Sequence, residues 1–377
     1  MAKTIPAGWQ EKTLGDILDK GASVLSANKL NNCQGEYPVY GARGLIAKVN
    51  FYQQDKEYLA IIKDGAGVGR VYHYEANSSV LGTLQYLFPK CEINIRFGYY
   101  YLQSIDFSKY YQGAAIPHIY YNDYKKEKII LPPLPEQERI VAKFDKAFEA
   151  IDKAKAITEN NLKNAKELFE SSLNKAFTEN TNDWEEKTLG EVCVVERGSS
   201  PRPIKNFITN DGSGVNWIKI GDCSEKYVTS TAQKITGEGA KKSRYVKEGD
   251  FIISNSMSYG KPYILKIDGY IHDGWFVLKL NKNLVNTDYF YYLLSSNYIK
   301  EQYDALATGA IVQNISSDLI KKVQFKLPSL LEQERIVARL DKLHEQIKQL
   351  EAVYSQKIKN FDELKQSILK RAFRGEL

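Results

Sequence analysis

Two stretches of the chain, 136–177 and 332–373, contain no Gly or Pro and carry apolar residues at steps of three and four. In the second stretch these fall at Ile336, Leu340, Leu343, Ile347, Leu350, Tyr354, Phe361, Leu364 and Ile368, with a break at Lys357. Such alternation keeps one apolar stripe along one helix face, the pattern of a heptad seam. The matching positions of the first stretch are Ile140, Phe144, Ala147, Ile151, Ala154, Thr158, Asn161, Ala165, Leu168 and Ser172. That seam is smaller and more polar, so it calls for a partner with larger side chains, which the second stretch supplies. Each stretch has 42 residues, about 60 Å of helix at roughly 1.5 Å per residue. Two independent helices packed on their own domains would leave such a seam partly in water. The expectation is therefore an antiparallel coiled coil with a globular domain at each end, a dumbbell with pseudo-two-fold symmetry. Pro132, Pro133, Pro135 and Pro328 stand just upstream and block backward extension of the helices.

Ahead of each helical stretch, over roughly 9–130 and 184–326, the pattern changes to short β-type runs between Gly, Asn, Asp and Pro. Examples are Tyr58–Ile62, Val80–Phe88, Asp250–Ile253 and Trp275–Leu280, with helical pieces expected near Phe97–Ile105 and Asp288–Tyr303. The two halves also share residues. Trp9-Gln10-Glu11-Lys12-Thr13-Leu14-Gly15-Asp16 returns as Trp184-Glu185-Glu186-Lys187-Thr188-Leu189-Gly190-Glu191, an offset of 175. Leu131-Pro132-Pro133-Leu134-Pro135-Glu136-Gln137-Glu138-Arg139-Ile140-Val141-Ala142 returns from Leu327 to Ala338, an offset of 196 that also carries Gly113 onto Gly309. The second copy thus holds about 21 extra residues in its globular part. A repeat this long is a domain duplication rather than a solenoid. The fold class expected is α+β: two similar mixed α/β domains with β-rich cores at 1–132 and 181–328, separated by long helices at 133–180 and 329–377.

Composition narrows the classes of function. The chain is mildly basic, 52 Lys+Arg against 46 Asp+Glu for a net charge of +6, which is compatible with a polyanionic partner. Its 26 Tyr are explained largely by half-buried strands. Cys33, Cys91, Cys193 and Cys223 lie far apart without a CxxC pair, which argues against a disulfide scaffold or structural zinc and for a reducing, cytoplasmic setting. The first residues lack the apolar core of a signal peptide, and no apolar run approaches the roughly 20 residues that span a bilayer.

Two similar readers at a fixed separation suit a bipartite target on a DNA duplex. Differing loops in the two domains suit unlike halves. The doubled motif L-P-x-L-x-E-Q-E-R-I-V at the head of a long helix follows a domain opened by Trp-x-x-x-x-Leu-Gly. With the ending Arg371-Ala372-Phe373-Arg374-Gly375-Glu376-Leu377, this resembles the specificity subunits of Type I restriction-modification enzymes, over the whole chain. The resemblance implies a DNA-binding host-defence protein in which each domain is a target recognition domain. It implies helices that space the domains and dock two methyltransferase subunits, with two restriction subunits in the full complex. S-adenosylmethionine, ATP and Mg belong to those partners, whose DNA methylation is at adenine N6. No cofactor, metal or catalytic residue is expected in this chain.

The residues agree with a non-catalytic reading. No Asn/Asp-Pro-Pro-aromatic loop, G-x-x-x-x-G-K-[ST] or H-E-x-x-H occurs, and His73, His118, His272 and His344 are scattered as surface or core residues. Asp64-Gly65-Ala66-Gly67-Val68-Gly69 follows a strand, but what comes next reads as another strand rather than the helix a nucleotide loop needs. Candidate DNA contacts are the basic and amide residues of loops: Arg43, Lys63, Arg70, Arg202, Lys205, Asn255, Lys261, Gln313 and Asn314. Trp217 and Trp275 are expected in the core. Glu136, Gln137, Arg139 and their copies Glu332, Gln333, Arg335 are candidates for partner docking. The acids suit a first helical turn, but a cap does not require repeated Gln and Arg. The competing classes are a self-contained enzyme acting on DNA, which the missing motifs disfavour, and a scaffold that binds only proteins.

Overall fold

In each copy the two repeated motifs are hydrogen-bonded to one another. Strand Gln10–Thr13 pairs antiparallel with Lys128–Leu131, and Glu185–Thr188 pairs antiparallel with Gln324–Leu327. The start of each domain is thereby tied to its end, immediately before the long helix. In the computed structural model, the described residues are all but 1–6, 31–33, 114–115, 180–181, 256–259, 308–315 and 374–377. The chain divides into two units, residues 1–159 with 355–377, and residues 160–354.

The first unit is built on an antiparallel sheet in the order Leu18–Ala22, Leu84–Pro89, Tyr58–Ile62, Val71–Tyr74. Tyr58–Ile62 is buried at every residue, as an inner strand covered on both faces must be. A smaller sheet joins Gly44–Val49, Tyr37–Gly41 and Ser79–Val80. The apolar run Val80–Phe88 is therefore not one strand. It is split between two sheets at Gly82, whose N–H donates to Leu25 O at 2.8 Å and where a Cβ would lie 3.0 Å from Ser23 O. Helix Ile95–Ser104 closes the core, capped by Asn94.

The second unit repeats the sheet as Cys193–Arg197, Trp275–Leu280, Phe251–Ser254, Pro262–Leu265, with the parallel edge strand Tyr227–Val228 added. Its second sheet has five strands where the first unit has three, and most of the extra length lies there. Phe251 and Ile253 face one apolar cluster while Ile252 faces another, the alternation of a strand between two layers. The expected helix Asp288–Tyr303 is two, Thr287–Ser295 and Asn297–Ala307. They meet at Ser296, a buried residue whose hydroxyl donates to Leu293 O at 2.6 Å. Trp217 and Trp275 are core, as expected.

The first long helix runs Leu134–Thr178 and the second Leu330–Phe373. Within the first unit, the head of one and the tail of the other lie side by side. Phe144 meets Phe373 with ring centroids 5.9 Å apart, and Leu369, Phe361 and Ile368 join the cluster of Phe144, Phe148 and Ile151. Lys155 pairs with Asp362 at 2.6 Å and Asp152 with Lys365 at 2.5 Å. Three residues back on one helix are three forward on the other, so the pair is antiparallel. Within the second unit Leu173, Ala176 and Phe177 share a core with Ile336 and Leu340, and Phe169 meets His344 at 5.0 Å.

The seam differs from the expected one in phase. Leu168, Leu350 and Leu364 are exposed, while Phe148, Phe169, Ile358 and Leu369 are covered or half-covered. Choosing Ile358 instead of Lys357 removes the apparent break, since the steps 347, 351, 354, 358, 361, 365 then alternate four and three. The architecture is α+β, two mixed-sheet domains and two long helices. Among the described residues no helix is long and apolar enough to cross a membrane.

Candidate nucleic-acid interface

In the first domain the glycine-rich loop closes an antiparallel hairpin between Tyr58–Ile62 and Val71–Tyr74, and no helix follows. Gly69 has φ +87, and a Cβ there would lie 2.7 Å from Phe107 Cβ, so both backbone and space require glycine. Lys63 leaves the buried strand half-exposed, 3.9 Å from Asp64, and Arg70 stands exposed at the loop's far end. Arg43 is exposed at the turn between Tyr37–Gly41 and Gly44–Val49. That turn is joined to the hairpin by Tyr72, whose hydroxyl donates to Ala42 O at 3.3 Å, and by stacked Tyr40 and Tyr74 at 4.1 Å. An open groove of about 1010 Å³ runs from the glycine loop to the helix pair, lined by Arg70, Arg96, Tyr99, Asp152 and Lys365.

His118 braces this loop. Its backbone bridges both Asp64 and Gln112, and Gly65 N donates to Pro117 O at 3.0 Å. At the offset of 196, Pro117 and His118 are the counterparts of Gln313 and Asn314. The repeat could have added His118 to the candidates had it been followed in that direction. Gln313 and Asn314 lie outside the described residues.

In the second domain Arg202 and Lys205 line a groove of about 1130 Å³ with Trp217, Lys219, His272 and Asp273. Asp273 organises it. Its Oδ1 accepts from Ser200 at 2.7 Å and its Oδ2 from Arg202 at 2.7 Å. The Ser200 hydrogen bond, then the Arg202 guanidinium, hold its carboxyl below the usual range. Burial lowers the His272 imidazole from its ordinary value. Its Nδ1 accepts from Gly274 N at 2.9 Å, which places the proton of the neutral ring on Nε2. Lys219, His272 and Asp273 carry no sequence signal, because strands distant in the chain bring them together.

The Asn255 side chain is buried and donates from Nδ2 to Asp273 O at 2.8 Å, so it braces the loop that carries Asp273. Lys261 is exposed with its ammonium 5.3 Å from the Tyr263 ring centre.

The helix heads divide in the same way. Arg139 donates twice to Glu136, at 2.7 and 2.6 Å, and Arg335 to Glu332 at 3.2 Å. These are solvent-exposed i,i+3 pairs that water screens and that add little to the helix, and they present charged faces on the surface. The Arg139 hydrogen bond holds the Glu136 carboxyl below its usual range. Gln137 and Gln333, by contrast, are 1% and 0% exposed and turned inward. The Gln137 amide accepts from Asn94 N at 2.9 Å and donates to Pro132 O at 2.9 Å. The Gln333 amide accepts from Asn286 N at 2.8 Å and donates to Pro328 O at 2.9 Å.

Among the described residues no three His, Cys, Asp or Glu side chains gather to hold a metal. Burial pushes the Cys193 and Cys223 thiols up to about 12, which leaves them unreactive near neutrality.

Comparison with known proteins gives the family. A family model described as Type I restriction modification DNA specificity domain matches twice, at residues 6–164 and 181–360. The EcoDI Type I restriction enzyme specificity subunit of Escherichia coli is 20% identical, covering 100% of this chain and 90% of its own. The HsdS subunit from Thermoanaerobacter tengcongensis superposes with a TM-score of 0.59 at 20% identity, covering 100% of this chain and 99% of its own. A chain from a structure described as the basis of complex assembly and conformational transition of the type I R-M system gives a TM-score of 0.77 at 20% identity, with both chains covered in full. At such identity the structures establish the fold, and the doubled family match establishes the rest: the chain belongs to the Type I restriction-modification specificity subunits, and carries their DNA specificity domain twice.

Proposed function

We propose that each domain of this chain reads one half of a bipartite, asymmetric DNA target, and that the long helices dock two methyltransferase subunits. The observation that carries this reading is the duplication. Each unit by itself holds one sheet domain, the head of one long helix and the tail of the other, antiparallel and sharing a core. The halves are unlike because the second sheets differ, three strands against five. Exposed cations are the candidate contacts: Arg43, Lys63 and Arg70 in the first domain, Arg202, Lys205 and Lys261 in the second. Arg and Lys of this kind clamp phosphates or read guanine. Docking falls to the exposed Glu136–Arg139 and Glu332–Arg335 pairs, one at each helix head, which suits two identical partners.

The chain itself is non-catalytic on this reading. S-adenosylmethionine is held by the methyltransferase subunits and ATP and Mg by two restriction subunits, in the cytoplasm. Single-molecule sequencing of host DNA tests it. A split sequence with one methylated adenine in each half, lost when this chain is deleted, is the expected result. Methyl transfer by the purified chain alone, or a continuous target, would refute it.

A further inference from the structure

The buried glutamines belong to a larger arrangement that is present twice. Asn94, whose N–H is bound by Gln137, accepts from Phe97 N at 3.1 Å and so caps helix Ile95–Ser104. Asn286, bound by Gln333, accepts from Asp288 N and Tyr289 N at 2.9 and 3.1 Å and caps helix Thr287–Ser295. Eight residues along each long helix, about 12 Å at roughly 1.5 Å per residue, there is a second contact. Tyr100 donates to Asp145 Oδ1 at 2.6 Å, and Tyr292 to Asp341 Oδ1 at 2.6 Å. Beside the packing of Tyr100 on Phe144 and Phe148 and the Arg96–Asp145 ion pair at 2.7 Å in the first copy, each domain's capped helix is thus held to its own long helix by hydrogen bonds at two positions that recur in both copies. One point would leave a pivot; two fix a direction.

Burying an amide costs stability unless every polar group is satisfied, and an apolar side chain would fill the same space. Domains that differ in loops and in their second sheets nevertheless share these residues, with matching distances. What an amide supplies and a leucine cannot is fixed orientation. We propose that Gln137 with Asp145, and Gln333 with Asp341, are positioning residues. They set the angle at which each domain leaves its long helix, and so restrict the spacer lengths that the two domains accept together. The spacer consequence rests on the split-target reading above; the angle does not.

The test uses the full chain with its methyltransferase partner and duplexes in which the spacer between half-sites varies by single base pairs. The wild type is expected to methylate one spacer length. Gln137→Met and Gln333→Met, which keep volume and remove the side-chain hydrogen bonds, are expected to accept neighbouring lengths at 10-fold or better of the wild-type rate on them, with unchanged half-site bases. Val80→Ala, an ordinary core truncation, controls for lost stability and is expected to keep one length. Spin labels at Lys48 and Lys153, both exposed and in the first unit, read the angle without DNA. Their distance distribution is expected to broaden in Gln137→Met and not in Val80→Ala. An unbroadened distribution overturns the proposal, as does broadening of the same size in Val80→Ala. A wild-type complex with no spacer preference would defeat the split-target reading alone, and the spin labels would still decide the angle.

Discussion

Replacing Phe144 by Ala should loosen the tail of the second long helix in the first unit. Phe144 is 3% exposed, and its ring lies 5.1 Å from Tyr100, 5.6 Å from Phe148 and 5.9 Å from Phe373. It therefore touches the domain, its own helix and the opposing helix at once. Truncating a buried Phe to Ala costs ~3–5 kcal/mol through lost transfer energy and the cavity left behind. The flanking ion pairs are weaker. In Lys155–Asp362 and Asp152–Lys365 the lysines are about a quarter exposed and the carboxylates more than half, so each is worth ~0.2–1 kcal/mol. The apolar seam, not the charges, should hold the pair. Hydrogen exchange by mass spectrometry on the full chain reads this segment by segment. Phe144→Ala should speed exchange over 361–373 by roughly 10²–10⁴-fold, given tenfold per ~1.4 kcal/mol. Lys155→Met with Asp362→Leu should speed it less than about tenfold by the same conversion. Unchanged exchange in Phe144→Ala, or equal acceleration by the ion-pair variant, would refute the reasoning.

Charge reversal at both Arg139 and Arg335 should lower co-purification of the methyltransferase subunit below two per chain, while loss of neither copy would show that these helix heads are not the docking surface. Arg202→Ala should weaken DNA binding by the partner-loaded chain and reduce the slope of log affinity against log salt by about 1, as for one lost phosphate contact; an unaltered slope and affinity would remove Arg202 from the interface. Inserting four residues into each long helix, at 159/160 and at 354/355, adds about 6 Å of helix, or roughly 2 base pairs at about 3.4 Å each. Methylation mapping should then report a longer spacer with the same half-sites, and an unchanged spacer would detach helix length from spacing.

The helices, the duplication and most strands were legible because each is a local pattern. Periodicity located Leu134–Thr178 and Leu330–Phe373 to within two residues, and the repeated motifs proved to be paired strands leading into them. The seam phase was less legible, since Leu350 and Leu364 keep helical spacing equally well on an exposed flank. The burial of Gln137, Gln333 and Asn255 was illegible for one physical reason. A polar side chain is assumed to face water, and only the structure shows backbone groups waiting for it: Asn94 N, Asn286 N and Asp273 O. The groove of the second domain was invisible for another. Ser200, the neighbours Trp217 and Lys219, and Asp273 come from three separate parts of the domain, and no local pattern announces that they meet.

Exchange of residues 184–326 for the corresponding domain of another specificity subunit tests the account most directly. Methylated adenines would be mapped by single-molecule sequencing in cells carrying the hybrid and the partner subunits. One half of the target should change to that of the donor while the other half and the spacer stay as they were. A hybrid that altered both halves together, or neither, would contradict the assignment of one half-site to each domain.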